Sequence, residues 1–316
     1  MRYIPFGESK EKLSEVVLGL MRIGPGKTTT QSMSVQEVEF LLDTAFDAGI
    51  NMLDNADIYA NGACEKVLGE VYAARPDLRQ KFFLQTKCGI VKDPDITYFD
   101  FSKEHILESV DNSLLRMQTD HIDSLLLHRP DALMEPEEIA EAFAILKAAG
   151  KVRNFGLSNC SPIMIERLKK VLTVPVAADQ IQLSAAFTPA IDAGFNFNTL
   201  TDAGIMRDGG IIEYCGMNDI VIQAWSVMQY GFFEGVFLGS EKYPALNHVI
   251  DRIAEEKGVT NTAVALAWIL RLPVSMQAVI GTTKPQRIRD SAAAASFTLT
   301  RKEWYEIYLA AGNILP

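Results

Sequence analysis

The sequence predicts an α/β protein folded as a single (β/α)8 barrel, and three observations lead to this expectation. Short apolar runs alternate with amphipathic helical patterns along most of the chain. The runs are apolar on both faces, which is typical of parallel strands covered by helices. The length of 316 residues suits one barrel, because α/β barrels exceed the average domain in size. A doubly wound sheet is the alternative, but the segment at 19–24 (GLMRIG) lacks the GxGxxG pattern of that fold.

Eight apolar runs are the candidate barrel strands. They lie at residues 16–18, 51–53, 82–86, 122–127, 152–157, 177–181, 220–224 and 277–280. We expect the N-terminal segment, residues 1–15, to close the bottom of the barrel. Residues 298–316 should form a C-terminal helix and tail. No linker or low-complexity tract interrupts the chain, so residues 1–316 are predicted to be one domain.

Local signals mark where several of the helices begin. Ser34 and Glu37 have the spacing of a capping box, and apolar residues at helical intervals follow them. Ser161 and Pro162 predict another helix start, because proline at the first turn needs no amide donor. Thr300 occupies the equivalent position before the C-terminal helix.

Composition excludes several classes of protein. Hydrophobic residues make up 48% and charged residues 22%, which is typical of a globular chain, and the net charge of −10 argues against nucleic acid or anionic membranes as partners. The four cysteines form no CxxC pair, so neither a metal site nor a disulfide framework is expected. No signal peptide or apolar membrane span is evident. We therefore expect a cytoplasmic protein, monomeric by default.

One segment superficially matches a phosphate-binding loop. Gly24 begins the run GPGKT, in which Lys27 and Thr28 resemble the end of that motif. The motif also requires a glycine where this chain has Met21. We interpret the segment as an ordinary loop.

Polar residues that follow the strands supply the candidate chemistry, because function in a barrel lies at the carboxyl ends of its strands. Asp54 and Tyr59 follow the second strand, Lys87 the third and His128 the fourth. Asp54 would keep Lys87 charged, and the Lys87 ammonium should lower the pKa of the Tyr59 hydroxyl. Tyr59 could then protonate a carbonyl oxygen during hydride reduction, with His128 orienting that oxygen.

These four residues resemble, in order and context, the catalytic tetrad of the aldo-keto reductase family, in its bacterial NADP-dependent oxidoreductase branch. The segments GLSN at 156–159, DQIQ at 179–182 and GTTKPQR at 281–287 extend the resemblance over nearly the whole chain. The combination is far more specific than any single motif. It implies an NADPH-dependent reductase of aldehydes or ketones, in which the catalytic residues are Asp54, Tyr59, Lys87 and His128, and the partner is a small carbonyl substrate.

The resemblance also implies which residues bind NADPH. Ser158, Asn159 and Gln180 would hold the nicotinamide carboxamide, and Trp225 would stack on the nicotinamide ring. Lys284 and Arg287 would surround the adenosine 2′-phosphate, which favours NADPH over NADH. The full implied set is Gly19, Met21, Asp54, Ser158, Asn159, Gln180, Trp225, Ser226, Met228, Gly281, Thr282, Thr283, Lys284 and Arg287, and no metal is implied.

Two other functions stay open. Lys87 could be the nucleophile of a Schiff-base lyase, a chemistry that barrels also support. The chain could alternatively be a non-catalytic, NADPH-binding regulatory subunit, although such a sensor needs no general acid. The substrate itself is undefined, and Arg22 is a candidate for attracting an anionic one.

Overall fold

The computed structural model describes residues 1–26 and 31–316, and it contains a closed barrel of eight parallel strands. In chain order the barrel strands are β3 (Val16–Gly19), β4 (Met52–Asp54), β5 (Phe83–Cys88), β8 (Ile122–Leu127), β9 (Val152–Ser158), β10 (Val176–Gln182), β11 (Val221–Trp225) and β14 (Met276–Ile280). Each strand hydrogen-bonds to the next along the chain, and β14 closes the ring against β3. The predicted (β/α)8 barrel is confirmed, with strand ends shifted by one or two residues.

Helices connect the strands and cover the outside of the barrel. They are α1 (Val35–Asp47), α2 (Ala63–Ala74), α3 (Pro76–Lys81), α4 (Lys103–Met117), α5 (Pro136–Ala148), α6 (Pro162–Lys169), α7 (Pro189–Phe195), α8 (Ile211–Met217), α9 (Pro244–Lys257), α10 (Asn261–Ile269), α11 (Pro285–Ala292) and α12 (Arg301–Ala310). The capping box predicted at Ser34 is formed. Thr300 also forms one at the predicted start of the C-terminal helix, and Ser161 caps α6 through its side chain. No helix within residues 1–26 and 31–316 combines the length and apolar character needed to cross a membrane.

In the described part of the chain, three two-stranded hairpins lie outside the barrel. They are β1 (Tyr3–Phe6) with β2 (Glu11–Ser14), β6 (Ile90–Lys92) with β7 (Thr97–Phe99), and β12 (Gln229–Tyr230) with β13 (Gly235–Val236). Lys27 and Thr28, part of the segment interpreted as an ordinary loop, lie outside the described residues.

The first hairpin packs against the amino-terminal ends of the barrel strands. Phe6 and Leu13 are buried in one apolar cluster with Met52 and Phe83, the first residues of β4 and β5. The rings of Phe6 and Phe83 meet edge to face, with centroids 5.3 Å apart. We infer that residues 1–15 close this end of the barrel, which leaves the carboxyl ends of the strands open.

Candidate active site

A cleft of about 860 Å³ opens at the carboxyl ends of the barrel strands. Its wall contains Gly19, Met21, Asp54, Tyr59, His128, Ser158, Asn159, Gln180, Trp225, Ser226, Met228, Gly281, Thr282, Thr283, Lys284 and Arg287. Lys87 is fully buried and contacts Tyr59 from behind this wall. The fold therefore brings together all the residues that the sequence singled out, whereas their individual roles stay predictions.

Lys87 organises the centre of the cluster. Its Nζ donates hydrogen bonds to Asp54 Oδ2 at 2.8 Å, to the carbonyl oxygen of Asn55 at 2.8 Å and to the Tyr59 hydroxyl at 3.1 Å. An ammonium group has three donors, so all of its donors are used. The lysine is thus held in one orientation, with its charge directed at both Asp54 and Tyr59.

The pKa values of the pair depend on the competition between burial and charge. Burial alone would lower the pKa of Lys87, but Asp54 and Tyr59 outweigh it and the pKa is raised. Burial raises the pKa of Tyr59, and the nearby Lys87 opposes this shift without cancelling it. The expectation that Lys87 would bring the pKa of Tyr59 below its ordinary value is therefore wrong for the protein without ligands. Tyr59 keeps its proton at neutral pH, as a proton donor must.

His128 is neutral at the same pH. Burial, reinforced by the charges of Lys87 and Arg129, holds the pKa of its imidazole well below the usual range. Its ring meets that of Tyr59 edge to face, with centroids 5.9 Å apart. A neutral imidazole beside a protonated phenol can orient a carbonyl oxygen without competing for the proton.

The backbone after β4 fixes the position of Tyr59. The N–H groups of Asn55 and Asp57 donate to the carbonyl oxygens of Gln85 and Lys87 at 2.9 and 3.0 Å, so this loop continues along β5. Directly after Tyr59, Ala60 has a φ of 50°, a left-handed conformation that is costly for a residue with a Cβ. This strained residue directly follows the tyrosine whose hydroxyl accepts a hydrogen bond from Lys87.

Residues that line the amide-rich part of the cleft form hydrogen bonds with one another. Trp225 Nε1 donates to Asn159 Oδ1 at 3.1 Å, and Asn159 Nδ2 donates to Ser158 Oγ at 2.8 Å. The Ser158 hydroxyl donates to the carbonyl oxygen of Gln180 at 2.9 Å. Trp225, Asn159 and Ser158 are among the residues that the resemblance assigns to a nicotinamide. Gln180 takes part here through its backbone oxygen, and its side chain donates to Asp54 and Gln223. Hydrogen bonds within the protein therefore hold these side chains in position.

The cleft wall also contains the basic residues that follow β14. Lys284 is the N-cap of α11, and Arg287 lies in the first turn of that helix. Arg22 donates to the carbonyl oxygen of Gly281, and a Cβ at residue 281 would lie 2.5 Å from the Arg22 guanidinium. The Arg22 guanidinium therefore binds the backbone of this loop. Its contacts do not support the expectation that it attracts an anionic substrate.

A chain of glutamines through the barrel interior was missed by the sequence analysis. Gln85 Nε2 donates to Asp54 Oδ1 and to Gln223 Oε1, both at 2.7 Å. Gln223 Nε2 in turn donates to Gln277 Oε1 at 2.9 Å, and Gln277 Nε2 donates to the carbonyl oxygen of Ser14 at 2.9 Å. The network joins Asp54 to the N-terminal hairpin.

A signal for this network is present in the sequence. Gln85 lies two residues before Lys87, and Gln223 lies two residues before Trp225, so each shares a face of its strand with a cleft residue. A polar residue on that face of an otherwise apolar strand must find partners inside the barrel. This pattern in the sequence points to Gln85, Gln223 and Gln277 as members of one buried polar network.

Comparison with known proteins agrees with this geometry. The model of the Aldo/keto reductase family matches residues 15–310. A 6-dehydroglucose reductase of Agrobacterium fabrum is 34% identical over 309 residues, covering 96% of this chain and 95% of the relative, and an uncharacterized oxidoreductase of Bacillus subtilis is 33% identical, covering 95% and 94%. An aldo/keto reductase from Klebsiella pneumoniae, solved with NADP and acetate, has a TM-score of 0.76 at 21% identity, covering 100% of this chain and 97% of that one. With its fold, its cleft and these relatives, the chain belongs to the Aldo/keto reductase family.

Proposed function

We propose that the protein is an NADPH-dependent reductase of aldehydes or ketones. The observation that carries the proposal is the Lys87 ammonium, which bonds both the Asp54 carboxylate and the Tyr59 hydroxyl at the base of an open cleft. This arrangement holds a protonated phenol where a substrate oxygen can reach it. The similarity to a reductase that covers nearly the whole chain supports the same reaction class.

The side chains of the cleft fit a dinucleotide with a nicotinamide at one end and a phosphate at the other. Asn159 and Ser158 offer the donors and acceptors that a carboxamide needs. Lys284 and Arg287 lie about the N-terminus of α11, where the helix dipole also favours an anion. We assign these two cations to the 2′-phosphate of NADPH.

When bound, NADPH supplies the hydride that reduces the carbonyl carbon. Tyr59 donates its hydroxyl proton to the carbonyl oxygen as negative charge develops there. Lys87 stabilises the phenolate that remains, and Asp54 compensates the lysine charge throughout. His128 orients the carbonyl oxygen towards Tyr59. The proton lost by Tyr59 is regained from solvent before the next turnover.

The two alternative functions are less well supported by the same contacts. A Schiff-base nucleophile must be a neutral amine that reaches its substrate. Lys87 is buried, its pKa is raised, and all three of its donors are in use. A regulatory subunit would have no need for the Lys87–Tyr59 hydrogen bond, which is intact.

The test combines cofactor binding with turnover. We expect Trp225 fluorescence to be quenched by NADPH at much lower concentrations than by NADH. We expect Tyr59→Phe to lower turnover of an aromatic aldehyde by about 10²- to 10⁴-fold, while the affinity for NADPH changes little. Unchanged turnover in Tyr59→Phe, or no binding of either nucleotide, would contradict the proposal.

We further propose that the enzyme acts as a monomer in the cytoplasm. The four cysteines are buried free thiols, which suits a reducing compartment. The net charge of −10 disfavours nucleic acid as a partner, so the expected partners are NADPH and a small carbonyl substrate. Sedimentation of the purified protein with and without NADPH would test the oligomeric state.

A further inference from the structure

Arg129 is a charged residue of the cleft to which the proposed reaction gives no role. It follows His128 directly and lines the same cleft as His128 and Tyr59. Its guanidinium lies over two aromatic rings, 5.3 Å from the centroid of Trp225 and 5.7 Å from that of Phe232. It forms no hydrogen bond or ion pair with any residue of the described ranges 1–26 and 31–316.

The aromatic contacts hold the guanidinium in place without neutralising it. Cation–π contacts orient an arginine but leave its N–H donors free. Burial lowers the pKa of Arg129, yet a guanidinium stays charged at any pH at which an enzyme works. Arg129 is thus a partly desolvated positive charge with no partner among residues 1–26 and 31–316, which is costly unless a ligand supplies one.

The other cations of the cleft are differently placed. Arg22 donates to the carbonyl oxygen of Gly281, and Lys284 and Arg287 lie at the start of α11. Arg129 instead neighbours His128, at the end where the proposed function places the carbonyl substrate. Trp225 and Phe233, whose rings stack on each other, line the cleft beside it.

We propose that Arg129 binds an anionic group carried by the substrate, so that the enzyme acts on aldehydes or ketones bearing a carboxylate. The planar guanidinium can donate two parallel hydrogen bonds to a carboxylate. Such a contact fixes the distance between the carboxylate and the reacting carbonyl. The net charge of −10 would otherwise repel an anionic substrate, and Arg129 supplies the local attraction that offsets it. The inference rests on the proposed reductase function and names the substrate class of that same site.

The experiment compares acidic and neutral substrates of the same shape. The kcat/KM for NADPH-dependent reduction is measured with 2-, 3- and 4-carboxybenzaldehyde and with the three matching methylbenzaldehydes. The wild type should prefer at least one carboxylated isomer over its methyl counterpart by about 10- to 100-fold, the range expected of one charge-assisted contact. Arg129→Met should abolish that preference, mainly through the KM of the carboxylated substrates, so that the ratio of kcat/KM between each carboxylated isomer and its methyl counterpart falls to about one.

Two further variants make the result specific to this side chain. Arg129→Lys keeps the charge and should retain part of the preference, although it loses the paired donors. Arg301→Met removes one positive charge from the exposed start of α12 and should leave the preference unchanged. NADPH titration of each variant checks that it is folded and binds the cofactor.

Three outcomes would overturn the inference. In the first, the wild type reduces acidic and methyl substrates equally well. In the second, the acidic preference survives in Arg129→Met. In the third, the wild type prefers an uncharged polyhydroxy aldehyde over the carboxylated benzaldehydes, and Arg129→Met abolishes that preference, so that Arg129 binds hydroxyl groups. In all three the reductase function stands, whereas failure of every aldehyde with NADPH would instead refute the proposed function.

Discussion

Asp54 and Asp179 are both carboxylates buried in barrel strands, but their surroundings differ. They are 2% and 0% exposed, in β4 and β10 respectively. Asp54 accepts hydrogen bonds from Lys87, Gln85 and Gln180 at distances from 2.7 to 3.1 Å. Asp179 Oδ1 accepts one long bond of 3.4 Å from the backbone N–H of Cys160, and its Oδ2 has no partner within the described part of the chain.

The two acids differ because Asp54 is paired with a cation, Lys87, and Asp179 is paired with none in the described part of the chain. Burial raises the pKa of Asp179 to about 7, and only backbone hydrogen bonds oppose the shift. Asp54 instead forms an ion pair with the Lys87 ammonium, whose Nζ lies 2.8 Å from Asp54 Oδ2. Burying a carboxylate in this barrel therefore tends to neutralise it, whereas burying it together with a lysine gives a charged pair that can hold a third group, here Tyr59.

The largest effect is expected from removing the cation. Lys87→Met leaves Asp54 as a buried charge without its counterion, which should lower the free energy of unfolding by about 3–5 kcal/mol. Turnover should fall by about 10³-fold, because Tyr59 loses the charge that stabilises its phenolate. Urea unfolding and single-turnover kinetics with NADPH in excess measure the two effects separately.

The double variant Lys87→Met with Asp54→Asn is the control for that prediction. Removing both charges should recover much of the stability but none of the activity, because the cost of an unpaired buried charge disappears while Tyr59 still lacks its cation. If Lys87→Met were as stable as the wild type, the pair would not have the energetic role assigned to it here.

The next effect concerns Asp179 and the pH dependence of stability. An acid whose pKa is higher in the folded than in the unfolded state binds its proton more tightly when folded, so stability declines as the pH rises between the two pKa values. With a folded pKa of about 7 against the ordinary 3.8, this decline should amount to about 4 kcal/mol between about pH 4 and pH 8. Asp179→Asn should lack it. Unfolding curves at several pH values provide the measurement.

Asp57 also has a pKa raised to about 7, but it is present in both proteins and cancels in the difference. The exposed Asp219→Asn serves as the matched control and should reproduce the pH curve of the wild type. Parallel curves for the wild type and Asp179→Asn would mean that Asp179 is ionised in the folded protein throughout this range.

The sequence predicted the barrel well because each strand and each helix start has a local signal. The double-sided apolar runs and the Ser34 and Thr300 caps depend on neighbours along the chain. The catalytic cluster could be predicted because strand ends meet at one face of a barrel. The direction of the pKa shift of Tyr59 could not be predicted, because it depends on whether burial, which raises the pKa, outweighs the Lys87 charge, which lowers it. Likewise, the lack of a partner for Arg129 is a property of the assembled cleft.

The smallest effects are expected in the glutamine network, and they test whether Asp54 needs more than its lysine. Gln85→Leu removes the shorter of two amide hydrogen bonds to Asp54 Oδ1, the other coming from Gln180, and leaves a buried acceptor on Gln223 with fewer partners. We expect a loss of about 1–3 kcal/mol in stability. We also expect an approximately tenfold loss in turnover, because a freer Asp54 holds Lys87 and Tyr59 less firmly. The pH profile of kcat should shift as well, which a purely structural role would not cause.

Gln277→Leu is the control for Gln85→Leu. Gln277 belongs to the same network but bonds Gln223 and Ser14, and none of the four catalytic candidates. Its loss should cost similar stability while kcat and its pH profile stay within about twofold of the wild type. If both variants lowered kcat equally, the network would act on the barrel as a whole. If only Gln85→Leu did so, the hydrogen bond to Asp54 would be the link between the barrel core and the proton donor.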